Sequence, residues 1–425
     1  MHIELDYGRK GLTVELPDDH VVHTLSHHSV DPLTDPGAAV RQVLEAPTGT
    51  PSLQELARHR QSACILICDI TRPVPNAIIL PLLLASLESA GIPREKILIL
   101  VATGAHRGNT PDEIRELVGH EVAQQYRIEN HDCHQLKAHT YLGESPRGVP
   151  IWIDSRYLEA DLKITTGLIE PHFMAGFSGG RKVICPGIAA LETIKVWHGP
   201  SILEDPRADT GILEGNPVHE ENTWIAQKAG CDFIVNAIID SARQPLCFVA
   251  GDMLAAFQEG VQFVRSLVFD TVAEPVDIVV TSGAGYPLDT TFYQSVKGMC
   301  SALPIVKEGG TVIVAASMSE GIGSEPFQSL FQEHATIDQF VDWLLQEEHF
   351  VMDQWQLEKM AAICRKAKVK VVTDGLSAEV IESLFVESAP SVEAAVVEAL
   401  ATYGPQATIA VNPRGPYVVG QLAGT

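Results

Sequence analysis

The sequence predicts a two-domain α/β protein with largely parallel sheets flanked by helices. Short runs rich in Val, Ile and Leu alternate with segments of helical periodicity, which is the pattern of strands buried on both faces. The 425 residues exceed what one hydrophobic core usually serves, so two domains are expected. Hydrophobic residues make up 45% of the chain and charged residues 20%, a balance typical of folded globular proteins.

Seven apolar runs are the expected strands, and helical patterns separate most of them. They lie at residues 63–68, 96–101, 162–166, 233–239, 276–281, 311–315 and 369–373. The apolar stretch around residues 77–85 is interrupted by Pro81, so it predicts a buried helix rather than a membrane span. Thr110, Ser377 and Ser391 each precede a helical run and are expected to cap it.

A domain boundary is expected near residues 270–276, where a helical pattern gives way to a new strand. The N-terminal, cofactor-binding domain is predicted as residues 1–272 and the C-terminal α/β domain as residues 276–405. The tail, residues 406–425, has strand character and is expected to rejoin the N-terminal domain. Because ligands of open α/β sheets bind beyond the carboxyl ends of the strands, the active site is expected in post-strand loops, in the cleft between the domains.

Charge and composition exclude several classes of partner. The formal net charge of −24 repels both a phosphate backbone and an anionic membrane surface, so neither nucleic acid nor membrane is an expected partner. The first residues alternate charged and apolar side chains without the apolar run of a signal peptide, which predicts a cytoplasmic protein. The eight cysteines form no CxxC pair and are expected to be reduced thiols rather than zinc ligands. A functional role for Cys185 stays open, because this residue lies in the segment from Glu170 to His198, which is the richest in chemically active side chains.

Two post-strand loops carry groups suited to carboxylate binding and proton transfer. In residues 69–75, DITRPVP, Arg72 can bind a carboxylate through two parallel hydrogen bonds, and Asp69 can orient that Arg or bind a hydroxyl. The alternative is an Asp–Arg pair that caps the following helix. In residues 102–107, ATGAHR, His106 is suited to proton transfer near neutral pH. The alternative is an ordinary loop histidine.

The densest motif spans residues 170–182, EPHFMAGFSGGRK, and is followed by Pro-Gly and Trp-His-Gly. It is not a phosphate-binding P-loop, because the GxxxxGK[ST] spacing fails. Several glycines close to His172, Arg181, Lys182 and His198 indicate backbone wrapped around a bulky anionic group. A purely structural Gly-rich turn would need neither Lys182 nor His172.

The fourth motif, GAGYPLD at residues 283–289 followed by YQSVKG at 293–298, lies in the predicted C-terminal domain. Gln294 and Lys297 are three residues apart, so on a helix they share a face and could bind the same ligand carboxylate. The alternative is a solvent-facing helix side.

Together these segments resemble the nickel-dependent lactate racemase family, whose enzymes carry a nickel pincer nucleotide. The resemblance rests on DxTRPVP at 69–75, TGAHR at 103–107, EPHFMAGFSGGRK at 170–182 and YQSVKG at 293–298. It implies a racemase or epimerase that inverts C2 of a small 2-hydroxy acid, lactate or a related acid. The α C–H bond is a very weak acid, so removal of hydrogen as hydride by the cofactor is the easier route. Enzymes of cofactor biosynthesis are the implied partners.

The resemblance also implies a role for individual residues. The cofactor, a pyridinium-3-thioamide-5-thiocarboxylic acid mononucleotide with nickel, would be covalently bound to Lys182 through a thioamide, and His198 would be a nickel ligand. His106 and His172 would be the paired acid–base groups. The substrate would be bound by Arg72, Gln294 and Lys297, and the cofactor contacted by Asp69, Thr71, Tyr293 and Trp355. Trp355 could equally be a core aromatic residue.

Two other classes of function stay open from the sequence. A non-catalytic cofactor-binding protein would keep Lys182 and His198 but would not need both His106 and His172. A zinc hydrolase using His172 and His198 would lack the HExxH motif and a carboxylate at ligand spacing.

Overall fold

The structure is a computed structural model and describes residues 1–240, 242–346 and 349–423. The chain forms two compact units. The central unit is Ser29–Ser266, and the composite unit joins Met1–His28 to the chain from Leu267 onward. Each unit is built on its own six-stranded sheet.

The described strands and helices alternate through most of the chain. The strands are β1 (His2–Leu5), β2 (Leu12–Glu15), β3 (Val21–Thr24), β4 (Ala63–Cys68), β5 (Ile97–Ala102), β6 (Arg127–Asn130), β7 (His139–Glu144), β8 (Pro150–Asp154), β9 (Leu162–Leu168), β10 (Pro171–His172), β11 (Gly176–Phe177), β12 (Phe233–Ile239), β13 (Pro245–Gly251), β14 (Phe269–Val272), β15 (Val276–Ser282), β16 (Val306–Ala315), β17 (Lys368–Val372), β18 (Glu387–Ser388), β19 (Ile409–Asn412) and β20 (Val419–Leu422). The α-helices are α1 (Pro36–Glu45), α2 (Leu53–Ala57), α3 (Asn76–Ser89), α4 (Pro111–Val118), α5 (His120–Gln125), α6 (Ser155–Leu158), α7 (Leu191–Trp197), α8 (Pro200–Leu203), α9 (Pro217–Ala229), α10 (Ala255–Val268), α11 (Phe292–Cys300), α12 (Glu325–Glu333), α13 (Ile337–Leu344), α14 (Gln354–Lys366), α15 (Ala378–Glu382) and α16 (Val392–Tyr403).

The central unit is a mainly parallel sheet with strand order β13-β12-β9-β4-β5-β6, in which only the β12–β13 pair is antiparallel. Helix α3 packs on this sheet and buries Ile79, Leu80, Leu83 and Leu87 in its core. This confirms the buried helix predicted around residues 77–85. Its sequence is apolar on every side, as expected for a helix inside a core.

The order of these strands brings three of the predicted motifs to one edge of the sheet. Strands β9, β4 and β5 are neighbours. The DITRPVP loop follows the last residue of β4, the TGAHR loop follows β5, and EPHFMAGFSGGRK begins two residues after β9. Because the carboxyl ends of parallel strands lie at the same edge, the three loops are adjacent.

The composite unit is a parallel sheet with strand order β18-β17-β16-β15-β19-β3. Strand β19 comes from the tail and pairs with both β15 and β3. This differs from the predicted division, in which residues 1–28 and the tail belonged with the N-terminal domain. The observed division instead falls between Ser266 and Leu267, close to the expected boundary. Strands of four residues carry no sequence signal for their partner, so their pairing follows only from the assembled sheet.

Local signals in the sequence agree with the structure. All seven predicted strands are present, and their ends differ by two residues at most except in β16, which begins at Val306 instead of the predicted Thr311. Thr110 caps α4 in a capping box with Glu113, and Ser377 and Ser391 cap α15 and α16. Within the described ranges, no helix has both the length and the apolar content needed to cross a bilayer. The eight cysteines are free thiols.

Candidate active site

Asp69 and His106 form a hydrogen-bonded pair across the β4 and β5 loops. Asp69 Oδ2 lies 2.7 Å from His106 Nδ1, and the Asp69 side chain is 6% exposed while that of His106 is 61% exposed. Thr71 donates to Oδ1 from its backbone nitrogen at 3.1 Å and from its hydroxyl at 2.5 Å. Burial raises the pKa of Asp69, but the His106 and Thr71 donors outweigh it and lower that pKa below its ordinary value. The carboxylate therefore holds the hydrogen of His106 on Nδ1 and leaves Nε2 as an acceptor.

The Arg72 side chain pairs with another residue than Asp69, so the alternative of an Asp–Arg pair that caps the following helix is wrong. Arg72 Nη1 instead forms an ion pair with Glu170 Oε1, which joins the first motif to the third. Helix α3 has no side-chain cap at its first turn. A guanidinium has five N–H donors, and the pair with Glu170 uses one of them. Arg72 therefore keeps donors for a second carboxylate.

A direct backbone contact joins the TGAHR loop to the Gly-rich segment. Gly104 donates its N–H to the carbonyl of Gly187 at 2.9 Å, and His106 donates its backbone N–H to Thr103. A Cβ at Gly187 would lie 2.1 Å from the carbonyl oxygen of Val183. Only glycine fits this approach, which explains the Pro-Gly pair that follows the motif.

The Gly-Gly-Arg turn is fixed by buried polar side chains. Gly179 has φ +83, where a Cβ would lie 2.8 Å from Ile169 and 2.9 Å from Asn236 Oδ1. That same Asn236 oxygen accepts the backbone N–H of Gly180 at 3.1 Å. The turn that precedes Lys182 is therefore a defined conformation rather than a free loop.

Arg181 supports this turn from inside the protein. It is fully buried, donates to Asn222 Oδ1 at 3.1 Å and to the carbonyls of Ala175 and Phe177 at 3.2 Å, and its Cζ lies 4.1 Å from the Phe257 ring centroid. Burial lowers the pKa of Arg181 to about 9. These bonds use its donors within the fold, so Arg181 positions the loop and does not bind the anionic group that the motif suggested.

Lys182 and His198 lie close together beside Trp197. Lys182 Nζ is 5.0 Å from the Trp197 ring centroid, and the His198 ring centroid is 4.4 Å from it. Burial, followed by the charges of Arg72 and Arg181, lowers the pKa of Lys182 well below its ordinary value. Burial and the charge of Lys182 lower the pKa of His198 to about 3. Both side chains are therefore shifted toward their neutral forms.

His172 has the opposite arrangement of ring nitrogens from His106. It ends β10, and its Nδ1 accepts the backbone N–H groups of Met174 and Ala175, both at 3.3 Å. A neutral His172 therefore carries its hydrogen on Nε2. His106 therefore offers a proton acceptor at Nε2 and His172 a hydrogen-bond donor at Nε2, so the two rings suit a hydroxyl and a carbonyl oxygen respectively.

The predicted residues of the composite unit lie on two helices that contact each other. Helix α11 begins after Thr291 and carries Tyr293, Gln294 and Lys297. The Tyr293 hydroxyl is 3.3 Å from Asp353 Oδ1 and also interacts with Trp355 of α14. Burial and the Asp353 charge raise the pKa of Tyr293. Tyr293 and Trp355 are therefore brought together, and their role in the same site stays a prediction.

Three residues that fix the loops of the site were not predicted from the sequence. Glu170 pairs with Arg72, Asn109 Oδ1 accepts the Ile70 N–H at 3.2 Å, and Asn236 holds the Gly-rich turn. Asn236 had a usable signal, since it is the one polar residue in the apolar strand β12, and buried polar residues need a partner.

A lysine of depressed pKa and two histidines of opposite hydrogen placement are the groups of an enzyme that performs acid–base and covalent chemistry. Residues 7–211 match the lactate racemase N-terminal domain and residues 271–419 match the lactate racemase C-terminal domain. The chain belongs to the lactate racemase family and is an isomerase, a racemase.

Individual relatives align with nearly the whole length of this chain. A lactate racemase from Thermoanaerobacterium thermosaccharolyticum is 36% identical over 423 residues, 98% of this chain and 99% of that protein. One from Lactiplantibacillus plantarum is 34% identical over 422 residues, 98% of this chain and 99% of that protein. The solved lactate racemase apoprotein from T. thermosaccharolyticum superposes with a TM-score of 0.93, covering 99% of this chain and 100% of that one at 36% identity.

Proposed function

We propose that this chain inverts C2 of a small 2-hydroxy acid, lactate or a related acid, with a nickel pincer nucleotide joined covalently to Lys182. The observation that carries the proposal is the pair formed by Lys182 and His198 beside Trp197, where burial lowers the pKa of both side chains. The names of the relatives in two organisms support the substrate class.

Lys182 and His198 have the chemical properties that the proposed nickel cofactor requires. Formation of a thioamide requires an unprotonated amine, and the lowered pKa of Lys182 favours that form. A metal ligand must likewise be a neutral imidazole, which the depressed pKa of His198 provides. Soft cofactor donors together with the His198 imidazole would suit nickel as the metal. When bound, the group supplies an acceptor for the hydride that leaves C2 of the substrate.

His106 is proposed to take the hydroxyl proton of the substrate. Its Nε2 lone pair is available because Asp69 holds the hydrogen on Nδ1. The Asp69 carboxylate also stabilises the imidazolium that forms when Nε2 accepts a proton. A positioned general base of this kind contributes about 10²–10⁴-fold to the rate.

His172 is proposed to serve the other face of the planar 2-oxo acid. Its Nε2–H is fixed by the two backbone donors at Nδ1, so it donates a hydrogen bond to the 2-oxo oxygen, and the proton that restores the hydroxyl is the one that the His106 imidazolium holds. Inversion requires that the intermediate expose its second face without leaving the site. Arg72 is proposed to hold the carboxylate during this step, with Gln294 and Lys297 as further carboxylate contacts.

An intact-mass measurement tests the attachment. The protein is purified from cells that make the cofactor and compared with Lys182→Ala and with Lys195→Ala, an exposed lysine of α7. The wild type and Lys195→Ala are expected to carry a cofactor-sized mass increase that Lys182→Ala lacks. Bare chain mass in all three proteins, from cells that load a lactate racemase, would refute the proposal.

Racemisation of each lactate enantiomer, followed by polarimetry, then tests the activity. Loss of optical rotation by the loaded wild type is the expected result. A mass increase without turnover of any 2-hydroxy acid would favour the non-catalytic cofactor-binding protein instead.

A further inference from the structure

Three buried residues of the central unit form a polar cluster outside the proposed racemase site. His131 directly follows β6, His139 begins β7 and Asp154 ends β8, with exposed fractions of 1%, 6% and 0%. His139 and Asp154 are paired residues on the antiparallel strands β7 and β8, so their side chains lie on the same face. One ring nitrogen of each histidine and one carboxylate oxygen lie within 4.8 Å of one another.

The hydrogen bonds of His139 leave a lone pair on its inner nitrogen. Nδ1 lies 2.9 Å from the backbone carbonyl of Gln135, which can only accept, so Nδ1 carries the hydrogen. Nε2 of the neutral ring is therefore a lone-pair donor, and it lies 2.9 Å from Nε2 of His131.

The inner nitrogen of His131 can carry a lone pair as well. Thr103 Oγ1 lies 3.1 Å from His131 Nδ1 and 3.0 Å from the backbone carbonyl of His131. When the Thr103 hydroxyl donates to that carbonyl, His131 Nδ1 donates to the hydroxyl and Nε2 is unprotonated. Both facing nitrogens, 2.9 Å apart, then carry a lone pair, and a cation would bind both. If the hydroxyl donates to Nδ1 instead, the two Nε2 atoms share an ordinary hydrogen bond.

The groups that hydrogen-bond His139 and Asp154 resemble those that orient the ligands of a metal site. Metal-binding histidines usually donate their other ring nitrogen to a carbonyl or similar acceptor, as His139 does to Gln135. Arg156 fixes the Asp154 carboxylate, with bonds to Oδ1 at 2.9 Å and to Oδ2 at 2.5 Å. Each carboxylate oxygen has two lone pairs, so one on Oδ2 is not used by Arg156. Glu129 pairs with Arg156 and with Arg127, so the charge of Arg156 is shared between two carboxylates.

A cavity gives His131 a route to solvent. It has a volume of about 620 Å³ and is lined by Asn130, Asp132, His134 and Gln135 in addition to His131. Its polar walls suit the entry of a hydrated ion. The same cavity is bordered by His106, so the cluster lies behind the loop that carries the proposed base.

We propose that His131, His139 and Asp154 bind one divalent first-row transition metal ion, of which Zn²⁺ is the best match. Two imidazoles and one carboxylate are a ligand set that Zn²⁺ accepts with water in the fourth position. The site shares no residue with the proposed nickel position at His198. The ion joins the ends of β6, β7 and β8 and, through Thr103, supports the start of the His106 loop.

Zinc binding to the full-length protein, without the nickel cofactor, tests the site. Protein from cells that lack cofactor synthesis is treated with a chelator, dialysed against Zn²⁺ and analysed by inductively coupled plasma mass spectrometry. We expect one equivalent of zinc in the wild type, in His198→Gln and in His120→Gln, an exposed histidine of α5. We expect none in His139→Gln or Asp154→Asn. Equal zinc content in the wild type and a folded His139→Gln would overturn the proposal.

Cobalt substitution keeps the test decisive if the buried variants do not fold. Co²⁺ bound to two imidazoles of the wild type is expected to give visible absorption that Zn²⁺ displaces. A folded wild type without this absorption and without bound zinc overturns the site by itself. The result is independent of racemase activity, because no cofactor is present in either measurement.

Discussion

Replacing Asp69 by Asn changes the protonation of His106 with almost no change in shape. In the wild type, Asp69 accepts from His106 through Oδ2 and from both donors of Thr71 through Oδ1. An Asn side chain has one acceptor oxygen and one NH₂ group. The two Thr71 donors keep the oxygen, so the NH₂ group faces His106 Nδ1, which must then accept. The hydrogen of His106 moves to Nε2, and the proposed base is lost.

The expected loss follows from the role of that base. General base catalysis contributes about 10²–10⁴-fold, and the same Asp-to-Asn change in a serine protease triad lowers kcat about 10⁴-fold. We expect kcat to fall about 10³–10⁴-fold in Asp69→Asn, which corresponds to about 4–5.5 kcal/mol at about 1.4 kcal/mol per tenfold. KM should change little, because neither Asp69 nor His106 is proposed to hold the substrate carboxylate.

The assay is the initial racemisation rate of lactate, divided by the cofactor occupancy measured by intact mass. Thr71→Val is the matched control, since it removes one hydroxyl donor to Asp69 but keeps the carboxylate against His106. Its loss of kcat should be much smaller. If loaded Asp69→Asn racemises lactate as fast as the wild type, the assignment of His106 as a base oriented by Asp69 is wrong.

Three further predictions concern Arg181, His219 and Gly187, all in the central unit. Arg181→Met leaves the Asn222 oxygen and two buried carbonyls without their donor, so chemical denaturation should show a loss of about 3–5 kcal/mol. The surface change Arg115→Met should cost less than about 0.5 kcal/mol, and equal losses would contradict this reasoning. Burial and the Arg181 charge lower the pKa of His219 from 6.5 to about 3. Between these values only the unfolded chain binds the proton, so stability falls as the pH falls below 6.5 by about 1.4 kcal/mol per unit. His219→Gln should have a shallower slope of unfolding free energy between pH 5 and 6, and an unchanged slope would argue against a buried neutral ring. Gly187→Ala brings a methyl group 2.1 Å from the Val183 carbonyl oxygen. It should lower the free energy of unfolding by about 1–3 kcal/mol and should also lower kcat. In the control Gly37→Ala, the nearest atom to the new methyl group is at 3.4 Å, so neither quantity should fall.

The sequence was sufficient to predict the elements that form the site, because each prediction rested on local patterns. Apolar runs identify β4, β5 and β9, and the motifs follow these strands directly. Their adjacency in the sheet then places Asp69, His106 and Glu170 at one edge.

Pairing between side chains could not be read from the motifs. Asp69 and Arg72 are three residues apart, yet Asp69 binds His106 and Arg72 binds Glu170. Both partners come from other strands, and the choice between them depends on the positions of neighbouring loops in the assembled sheet. The same holds for Asn236, whose partner Gly180 lies 56 residues away.

The parallel pairing of β3 with β19 also determines the order in which the two units can fold during synthesis. The contact between His20 and Ala407 spans 387 residues, and the whole central unit lies within that span. The central unit can fold as soon as it leaves the ribosome, since domains generally fold as units. Strand β3 leaves first but must wait for β19, with its backbone donors exposed in the meantime. Strand β19, which follows the central unit in the chain, therefore completes the composite sheet, and truncation before Ile409 would leave both β3 and β15 with an open edge.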